Sequence, residues 1–365
     1  MRNRGEVDVA VVGGGISGLF TATRLFGAGL TCAVLESRDR VGGRLLTHHS
    51  PAGHFDLGAT WFFPGESRVA ALIEEFNVST HVQHIAGDAL YHVRGGAQRL
   101  DGNPIDVVSG RFTHGAATLT ERLATRLGDA LSLRTPVHEI HQHDDDLQVH
   151  HAHGSLTARH VILALPPSLA VHHITIRPGL PDRLHALAAA TPVWMGNVAK
   201  AVVVYPEAFW RHDGLAGAAI SHLGPLRELH DMSGPDGAPA VLFGFAPLAP
   251  GVPTPTEQSI VAQLVEIFGL RAAAPREVII KDWRSDIHTV PPDATPHAAM
   301  GTYGHRWYQE PAGHGRLHWA STETAPTAPG HIEGAIAAAE RAVNAITSGG
   351  SHIAPATTRR PREDQ

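Results

Sequence analysis

Cysteine is almost absent from this 365-residue chain, and its scarcity limits the chemistry that the chain can perform. The single copy, Cys32, cannot form an internal disulfide or supply several thiolates to a zinc site. A reducing compartment, the cytoplasm, is therefore the predicted location. Long apolar runs are missing as well: no window reaches the ~18 apolar residues of a membrane span, and residues 1–6 leave no room for the apolar part of a signal peptide.

Charged residues are few, at 18% of the chain, and neither sign dominates. Lys and Arg total 29 against 35 Asp and Glu, for a formal net charge of -6, and the one basic block is short, from Arg359 to Arg362. The sequence therefore predicts no nucleic-acid partner. The hydrophobic share of 43% predicts a globular protein, and the length predicts two domains or one large domain with an insertion.

Histidine is the residue in excess, with 27 copies. Several fall within a segment, residues 137–165, that is predicted to form a hairpin turning at Asp144 to Asp146. Alternate histidines on a strand share a face, so a metal site is one interpretation. Neither a carboxylate nor a cysteine completes a set of ligands in the sequence pattern, so solvent-facing histidines without a metal are the favoured interpretation. The histidines concerned are His138, His141, His143, His150, His151, His153 and His160.

A strand, a glycine loop and a helix are predicted, in this order, near the start of the chain. The loop satisfies G-x-G-x-x-G in the context that dinucleotide binding requires. Gly13 permits the tight turn, Gly15 lets the backbone approach a pyrophosphate, and Gly18 lets the helix pack closely on the strand. The helix N-terminus at Ile16 and Ser17 faces the phosphates. NAD and FAD both remain open on this evidence.

The residues after the next predicted strand distinguish between the two cofactors. Glu36, about 20 residues beyond the glycines, is placed to accept hydrogen bonds from the adenosine ribose. Arg44 can pair bidentately with the pyrophosphate, Gly42 and Gly43 let the backbone pass close to it, and Arg38 can cover the adenosine. This E-x-x-x-R-x-G-G-R run resembles the signature of the flavin-containing amine oxidase family, which includes monoamine, polyamine and L-amino acid oxidases.

The resemblance continues along the chain in the order of the family's motifs. The matching segments are Phe55 to Trp61 beside the flavin ring, Thr135 to Val137 beside adenine, Val198 to Lys200 on the strand of the active-site lysine, Trp283, and Ala320 to Ala335 as the C-terminal flavin motif. In that last motif, Glu323 is implied to bind the ribityl hydroxyls, and the helix beginning at Ile332 stabilises negative charge on the reduced flavin. The resemblance implies cofactor contacts from Gly13, Gly15, Ile16, Ser17, Gly18, Glu36, Ser37, Arg38, Gly42, Gly43, Arg44, Gly58, Ala59, Thr60, Trp61, Val137, Trp283, Thr322, Glu323, His331 and Ile332.

The implied function is that of an FAD-dependent amine oxidase with Lys200 as its catalytic residue. Hydride would pass from the carbon beside an amine nitrogen to flavin N5, giving an imine, and oxygen would re-oxidise the flavin with release of hydrogen peroxide. The implied partners are a small amine or amino-acid-like substrate and O2. A homodimer is left open, and no resident metal is expected.

The implied fold is α/β, with a Rossmann-like FAD-binding domain of mixed sheet and flanking helices, and an inserted antiparallel-sheet substrate domain. The FAD-binding domain is assigned to residues 1–78, 130–166 and 300–347. The substrate-binding domain is assigned to residues 79–129 and 167–299, and residues 348–365 are expected to form a disordered tail.

The sequence also departs from the family. Ala298 to Gly301 holds no cysteine where some members attach FAD, so a non-covalent cofactor is expected. The paired tyrosines of monoamine oxidases are replaced by Met300 or a neighbour and by His331. The pocket candidates are Trp61, Phe63, Met300, Tyr303 and His331. Three alternatives stay open: a flavin desaturase acting on a larger substrate, a non-catalytic flavin-binding protein, and a nicotinamide-dependent reductase, for which no second glycine fingerprint exists.

Overall fold

The computed structural model describes residues 5–292 and 300–348. The helices are α1 (Ile16–Gly27), α2 (Ser67–Glu75), α3 (Ala117–Leu127), α4 (Pro167–His173), α5 (Asp182–Ala190), α6 (Phe209–His212), α7 (Glu257–Phe268) and α8 (Ile332–Ser348). The strands are β1 (Glu6–Val12), β2 (Cys32–Leu35), β3 (Thr47–Ser50), β4 (Gly53–Asp56), β5 (Trp61–Phe62), β6 (Thr80–Val82), β7 (Asp88–Val93), β8 (Gly96–Arg99), β9 (Gly110–Phe112), β10 (Leu131–Ser132), β11 (Val137–Gln142), β12 (Leu147–His151), β13 (Gly154–Leu163), β14 (Thr175–Arg177), β15 (Val198–Tyr205), β16 (Leu215–Ser221), β17 (Glu228–Asp231), β18 (Ala240–Pro247), β19 (Glu277–Asp282) and β20 (Leu317–Trp319).

The first sheet is mixed and has the order β10-β2-β1-β13-β12-β11-β14, with β20 also paired to β13. Its β10, β2, β1 and β13 strands are parallel, whereas β13, β12 and β11 form an antiparallel meander. Helices cover both faces. Val9 and Val11 pack with α1, α3 and α8, while Ala10 and Val12 pack with α4 and α5. Because both faces are buried, β1 is a continuous apolar run rather than an alternating one.

The second sheet has the order β19-β15-β18-β17-β16-β7-β8 and is antiparallel except for the β7–β16 pair. Ala199, Ala201 and Val203 of β15 pack with helix α7 on one face. The alternate residues Val202 and Val204 pack on the other face with the segment around Phe55 and Leu57. Side chains alternate along a strand, so Lys200 lies on this second face, next to the loop that follows β4.

The predicted mixed α/β fold is confirmed, and the strand, loop, helix and strand of residues 6–36 lie where the sequence predicted them. The prediction that residues 137–165 form a hairpin was wrong in one respect. A second turn after His151 makes this segment three strands, because Gly154 to Ala158 pair back onto β12. None of the helices in residues 5–292 and 300–348 is long and apolar enough to cross a membrane.

The division into domains stays a prediction. The packing of α3 against α1 and α8 in the core of the first sheet favours moving residues 117–127 to the cofactor-binding part. The predicted tail beyond Ser348 lies outside the described residues.

Candidate active site

A cavity of about 840 Å³ opens where the ends of strands from both sheets meet. Its volume is within the range of ~300–1,000 Å³ that is typical of ligand sites. The sequence-predicted residues that line it are Gly13, Gly15, Ile16, Ser17, Glu36, Ser37, Arg38, Gly42, Gly43, Arg44, Gly58, Ala59, Thr60, Trp61, Phe63, Val137, Trp283, Thr322, His331 and Ile332. Residues from distant parts of the sequence therefore meet around one site.

The glycine loop between β1 and α1 forms one end of this cavity. Gly13 has a φ of +110°, which a side chain would strain. A Cβ on Gly18 would lie 1.9 Å from the Gly13 carbonyl oxygen, so only glycine lets α1 approach the loop this closely. Helix α1 begins after Gly15, which has no side chain to cap it. Its first N–H groups are thus suited to an anionic ligand.

Glu36 fixes this loop from the end of β2. Its Oε2 accepts a hydrogen bond from the Gly14 N–H at 2.6 Å, and its Oε1 accepts one from the Arg38 N–H at 2.8 Å. The carboxylate is 3% exposed. Glu36 therefore organises the loop in addition to its predicted role of binding ribose hydroxyls.

Two arginines behind the loop have partners that the sequence did not predict. The Arg38 guanidinium donates to Asp286 and to Thr289, both at 2.7 Å, and so links the first sheet to the segment after β19. Arg44 forms a bidentate pair with Glu323 at 2.6 and 3.1 Å. Glu323 is fully buried and does not line the cavity, so the structure places it beneath Arg44 rather than facing a ligand.

Ser321 is a cavity residue that sequence reasoning missed. It is 3% exposed, and its Oγ has no hydrogen-bond partner among the described residues. A buried hydroxyl without a partner is costly unless a ligand or water completes its hydrogen bonding. Its position beside Thr322, within the predicted C-terminal motif, was the signal that could have indicated it. This unpartnered polar atom fits a cavity that holds a polar cofactor.

Lys200 lies directly behind the wall formed by Gly58 and Thr60. It is fully buried, and its Nζ donates to the Gly58 carbonyl at 3.1 Å and to Thr60 Oγ1. The same Nζ lies 4.3 Å from the centre of the Phe243 ring, a cation–π contact. Lys200 does not line the cavity itself, but two of its partners do. Because Lys200 is fully buried, its ammonium does not reach bulk water.

Burial lowers the pKa of Lys200 to about 7, because the ammonium loses its hydration, and the nearby Asp56 carboxylate opposes this shift. Asp56 is itself buried, which raises its pKa, and it accepts hydrogen bonds from Thr47 and from the Ala116 N–H at 2.7 and 2.9 Å. Arg111, also buried, lowers the pKa of Lys200 further. The lysine can therefore change its protonation state near neutral pH.

Aromatic side chains line the cavity at the Lys200 end. Trp61 packs its ring 5.2 Å from that of Phe243, and its Nε1 donates to Gln83 at 3.0 Å. The Phe63 and His331 rings lie 5.5 Å apart. His331 Nδ1 is 2.8 Å from Glu66 Oε1, a hydrogen bond that raises the pKa of the imidazole.

The structure tests one of the two remaining pocket predictions, Tyr303, but not the other, Met300. The Tyr303 hydroxyl donates to the Pro192 carbonyl at 2.9 Å, and this side chain does not line the cavity. The prediction of Tyr303 as a pocket residue is therefore not supported. Met300 begins a 3₁₀ turn next to residues 293–299, which lie outside the described part of the chain, as does its own side chain.

A carboxylate in the cavity wall was also missed by the sequence analysis. Glu228 at the start of β17 lines the cavity with its side chain 49% exposed. Its Oε1 accepts from His230 Nε2 at 3.0 Å, which lowers the pKa of Glu228. His230 is also 2.6 Å from Asp106. Burial lowers the pKa of His230, but the two carboxylates outweigh it and the net shift is upward.

A family model described as flavin containing amine oxidoreductase matches residues 16–108 and 106–347. The chain belongs to this family. Its relatives include flavin-containing amine oxidase B of Sus scrofa, 27% identical over 453 aligned residues that cover 93% of this chain and 86% of the relative. The Homo sapiens amine oxidase B is 26% identical, with the same coverage of both chains.

Solved structures share the fold. A putrescine oxidase, wild type bound to putrescine, superposes with a TM-score of 0.82 at 22% identity, covering 94% of this chain and 99% of that one. Cyclohexylamine oxidase from Brevibacterium oxydans IH-35A superposes with a TM-score of 0.83 at 22% identity, covering 95% and 100%.

Membership in this family makes the protein an FAD-dependent oxidoreductase of the amine oxidase type. The cavity fits FAD, since a glycine loop and an uncapped helix N-terminus lie at one end and aromatic residues with a buried lysine at the other. The FAD is held non-covalently. The only cysteine of the sequence, Cys32, is buried on β2 and does not line the cavity, and burial raises the pKa of its thiol to about 12.

Proposed function

We propose that this protein is an amine oxidase that acts on the carbon–hydrogen bond beside an amine nitrogen. The chemistry that bound FAD would supply is the two-electron oxidation of the amine to an imine, with O2 as the final electron acceptor and hydrogen peroxide as the product. The observation that carries the proposal is the fully buried Lys200 ammonium, hydrogen-bonded to the Gly58 carbonyl in the wall of the cavity.

The chain's own residues divide into two groups around the cofactor. At the glycine end, Gly13, Gly15 and the N–H groups of Ile16 and Ser17 would bind the pyrophosphate, and Glu36 the ribose. At the other end, two parts of the C-terminal motif would contact the cofactor: the segment at Thr322 and the start of α8 at Ile332. The Val137 backbone is proposed as the adenine contact. These roles rest on the lining of one cavity by all of these residues.

Lys200 is proposed to supply a positive charge behind the wall during the reduction of oxygen. The charge is fixed in place by Gly58 and Thr60 and is shielded from solvent, so it stabilises a nearby negative charge without reorganising. Because burial lowers the pKa of Lys200 to about 7, the proton on Nζ is present below neutral pH and is lost above it.

The substrate is proposed to be a small amine with an apolar body. Glu228 is a half-exposed carboxylate in the cavity wall that attracts a cationic group, and Trp61 and Phe245 provide apolar surface beside it. Arg227 also lines the cavity, so an amino-acid-like substrate with a carboxylate remains the second class to test. A cytoplasmic location stays a prediction.

The test is a peroxide-release screen of the holoenzyme over primary, secondary and cyclic amines and amino acids. We expect turnover with amines, and a raised KM for the preferred amine in Glu228→Gln. The matched control is Glu257→Gln, an exposed carboxylate on α7. No peroxide with any amine or amino acid would contradict the oxidase assignment, and an unchanged KM in Glu228→Gln would remove Glu228 from the substrate site.

A further inference from the structure

Three potential metal ligands meet on strands β11 and β12 of the first sheet, and none of them lines the cofactor cavity. Glu139 and His141 lie on β11, two residues apart and therefore on one face. His150 on β12 is the direct cross-strand partner of Glu139. Each of the three offers one ligand atom, and these atoms all lie within 4.8 Å of one another.

The strand register sets the three ligands side by side. From the turn, Gln142 pairs with Leu147, and the pairs continue without a break to Glu139 and His150; the register shifts only beyond Glu139, before Val137. Glu139 therefore supplies the carboxylate that the spacing of the histidines alone does not reveal.

The strands that carry the three ligands are well anchored. Ile140 and Val149, which alternate with them, are fully buried in the core of the first sheet. The ligands are half-buried on the opposite face. Side chains on rigid strands lose less conformational freedom on binding an ion than side chains on a loop.

At least one ligand atom of this group is not used in a hydrogen bond and is available to an ion. His150 Nε2 is buried and has no hydrogen-bond partner within residues 5–292 and 300–348. His141 Nε2 lies 3.0 Å from Glu139 Oε1, and Arg177 Nε donates to the same oxygen at 2.7 Å. Carboxylates that bind metal ions are commonly oriented by a hydrogen bond such as the one that Arg177 donates to Glu139.

We propose that Glu139, His141 and His150 bind one divalent transition-metal ion of the zinc class. Two imidazoles and one carboxylate are donors that zinc prefers, and a water completes a four-coordinate site. Ligand atoms bonded to zinc at ~2.0–2.2 Å lie about 3.4 Å apart in a tetrahedron, so small rotations of the half-exposed rings bring them together. The ion would replace the His141–Glu139 contact and link β11 to β12.

The test is a titration of the chelator-treated FAD holoenzyme with ZnCl2 by isothermal calorimetry, with thermal unfolding as a second readout. We expect one zinc per chain and a Tm that rises with zinc concentration. His150→Ala and Glu139→Gln should each weaken binding at least about tenfold and abolish the rise in Tm. His143→Ala is the matched control, since this histidine is exposed in the same segment outside the ligand set, and it should bind as the parent does.

Flavin content and circular dichroism report whether each variant is folded, and His150→Gln replaces His150→Ala if the latter is not. Absence of a one-to-one binding event in the parent would overturn the proposal. It would also be overturned if His143→Ala lost as much affinity as His150→Ala, or if Glu139→Gln bound zinc as the parent does, because the ligand set would then be wrong. The proposal does not depend on the oxidase activity.

Discussion

Replacing Lys200 with Met removes one buried positive charge while keeping most of the side chain's volume. The Nζ lies 3.1 Å from the Gly58 carbonyl oxygen in the cavity wall. A negative charge in contact with that wall lies ~3.5 Å further away, or ~6.5 Å in total. At an effective dielectric constant of ~20, Coulomb's law gives about 2.5 kcal/mol for this pair. That energy corresponds to a slowing of roughly 50–100-fold in the step that develops the charge.

Stopped-flow absorbance separates the two half-reactions. We expect anaerobic reduction by the amine in Lys200→Met to stay within roughly tenfold of the parent, since the start of α8 at Ile332 is the group proposed to stabilise the charge that hydride transfer places on the flavin. Re-oxidation by oxygen should slow by the larger factor. Lys281→Met on the neighbouring strand β19 is the control, because its Nζ is paired with Asp286 at 3.0 Å. Equal re-oxidation rates in Lys200→Met and the parent would refute the assignment.

The same charge predicts a pH dependence. Burial lowers the pKa of Lys200 to about 7, so the ammonium is charged below that pH and neutral above it. The re-oxidation rate should therefore be high below pH 7, fall as the pH rises through 7, and be flat in Lys200→Met. Asp56→Asn removes the carboxylate that raises the pKa of Lys200 against the effect of burial. In this variant the re-oxidation rate should therefore fall at a lower pH. A pH profile in Lys200→Met identical to that of the parent would assign the titration to another group.

Three further predictions concern the cofactor. Acid denaturation should release all FAD into the supernatant, because Cys32 is buried away from the cavity, and flavin retained in the precipitate would contradict non-covalent binding. Glu36→Ala should weaken FAD retention by roughly 1–3 kcal/mol, measured by equilibrium dialysis, since the Gly14 N–H and the ribose lose an acceptor. Gly18→Ala should prevent FAD binding, because its Cβ would lie 1.9 Å from the Gly13 oxygen, whereas Gly27→Ala on the same helix meets nothing within 4 Å and should bind normally. Similar FAD content in Gly18→Ala and Gly27→Ala would mean that the glycine loop shifts to accommodate the new Cβ.

Sequence reasoning was most effective where one local pattern determines both the structure and the chemistry. The glycine loop, the helix after it and Glu36 depend on backbone conformation and short spacings, and the structure brings all three to one cavity. The strand of Lys200 was likewise predicted, through the resemblance of Val198 to Lys200 to a family segment, and β15 spans Val198 to Tyr205.

The features that were missed depend on the register between distant segments. Arg44 and Glu323 were each assigned to a ligand, but they are 279 residues apart in sequence and pair with each other. Glu139 and His150 are neighbours through the cross-strand pairing of β11 with β12, which the spacing of the histidines alone does not show. The loop between β8 and β9 that brings Asp106 to His230 has no local signal either, nor does the position of Glu228 in the cavity wall.

An anaerobic titration of the holoenzyme with the best amine from the screen tests directly whether this cavity oxidises amines through bound FAD. We expect flavin absorbance to be lost with one equivalent of amine per FAD, and admission of air to restore it with release of one equivalent of hydrogen peroxide. Flavin absorbance that stays unchanged with every amine and amino acid tested would refute amine oxidation at this site.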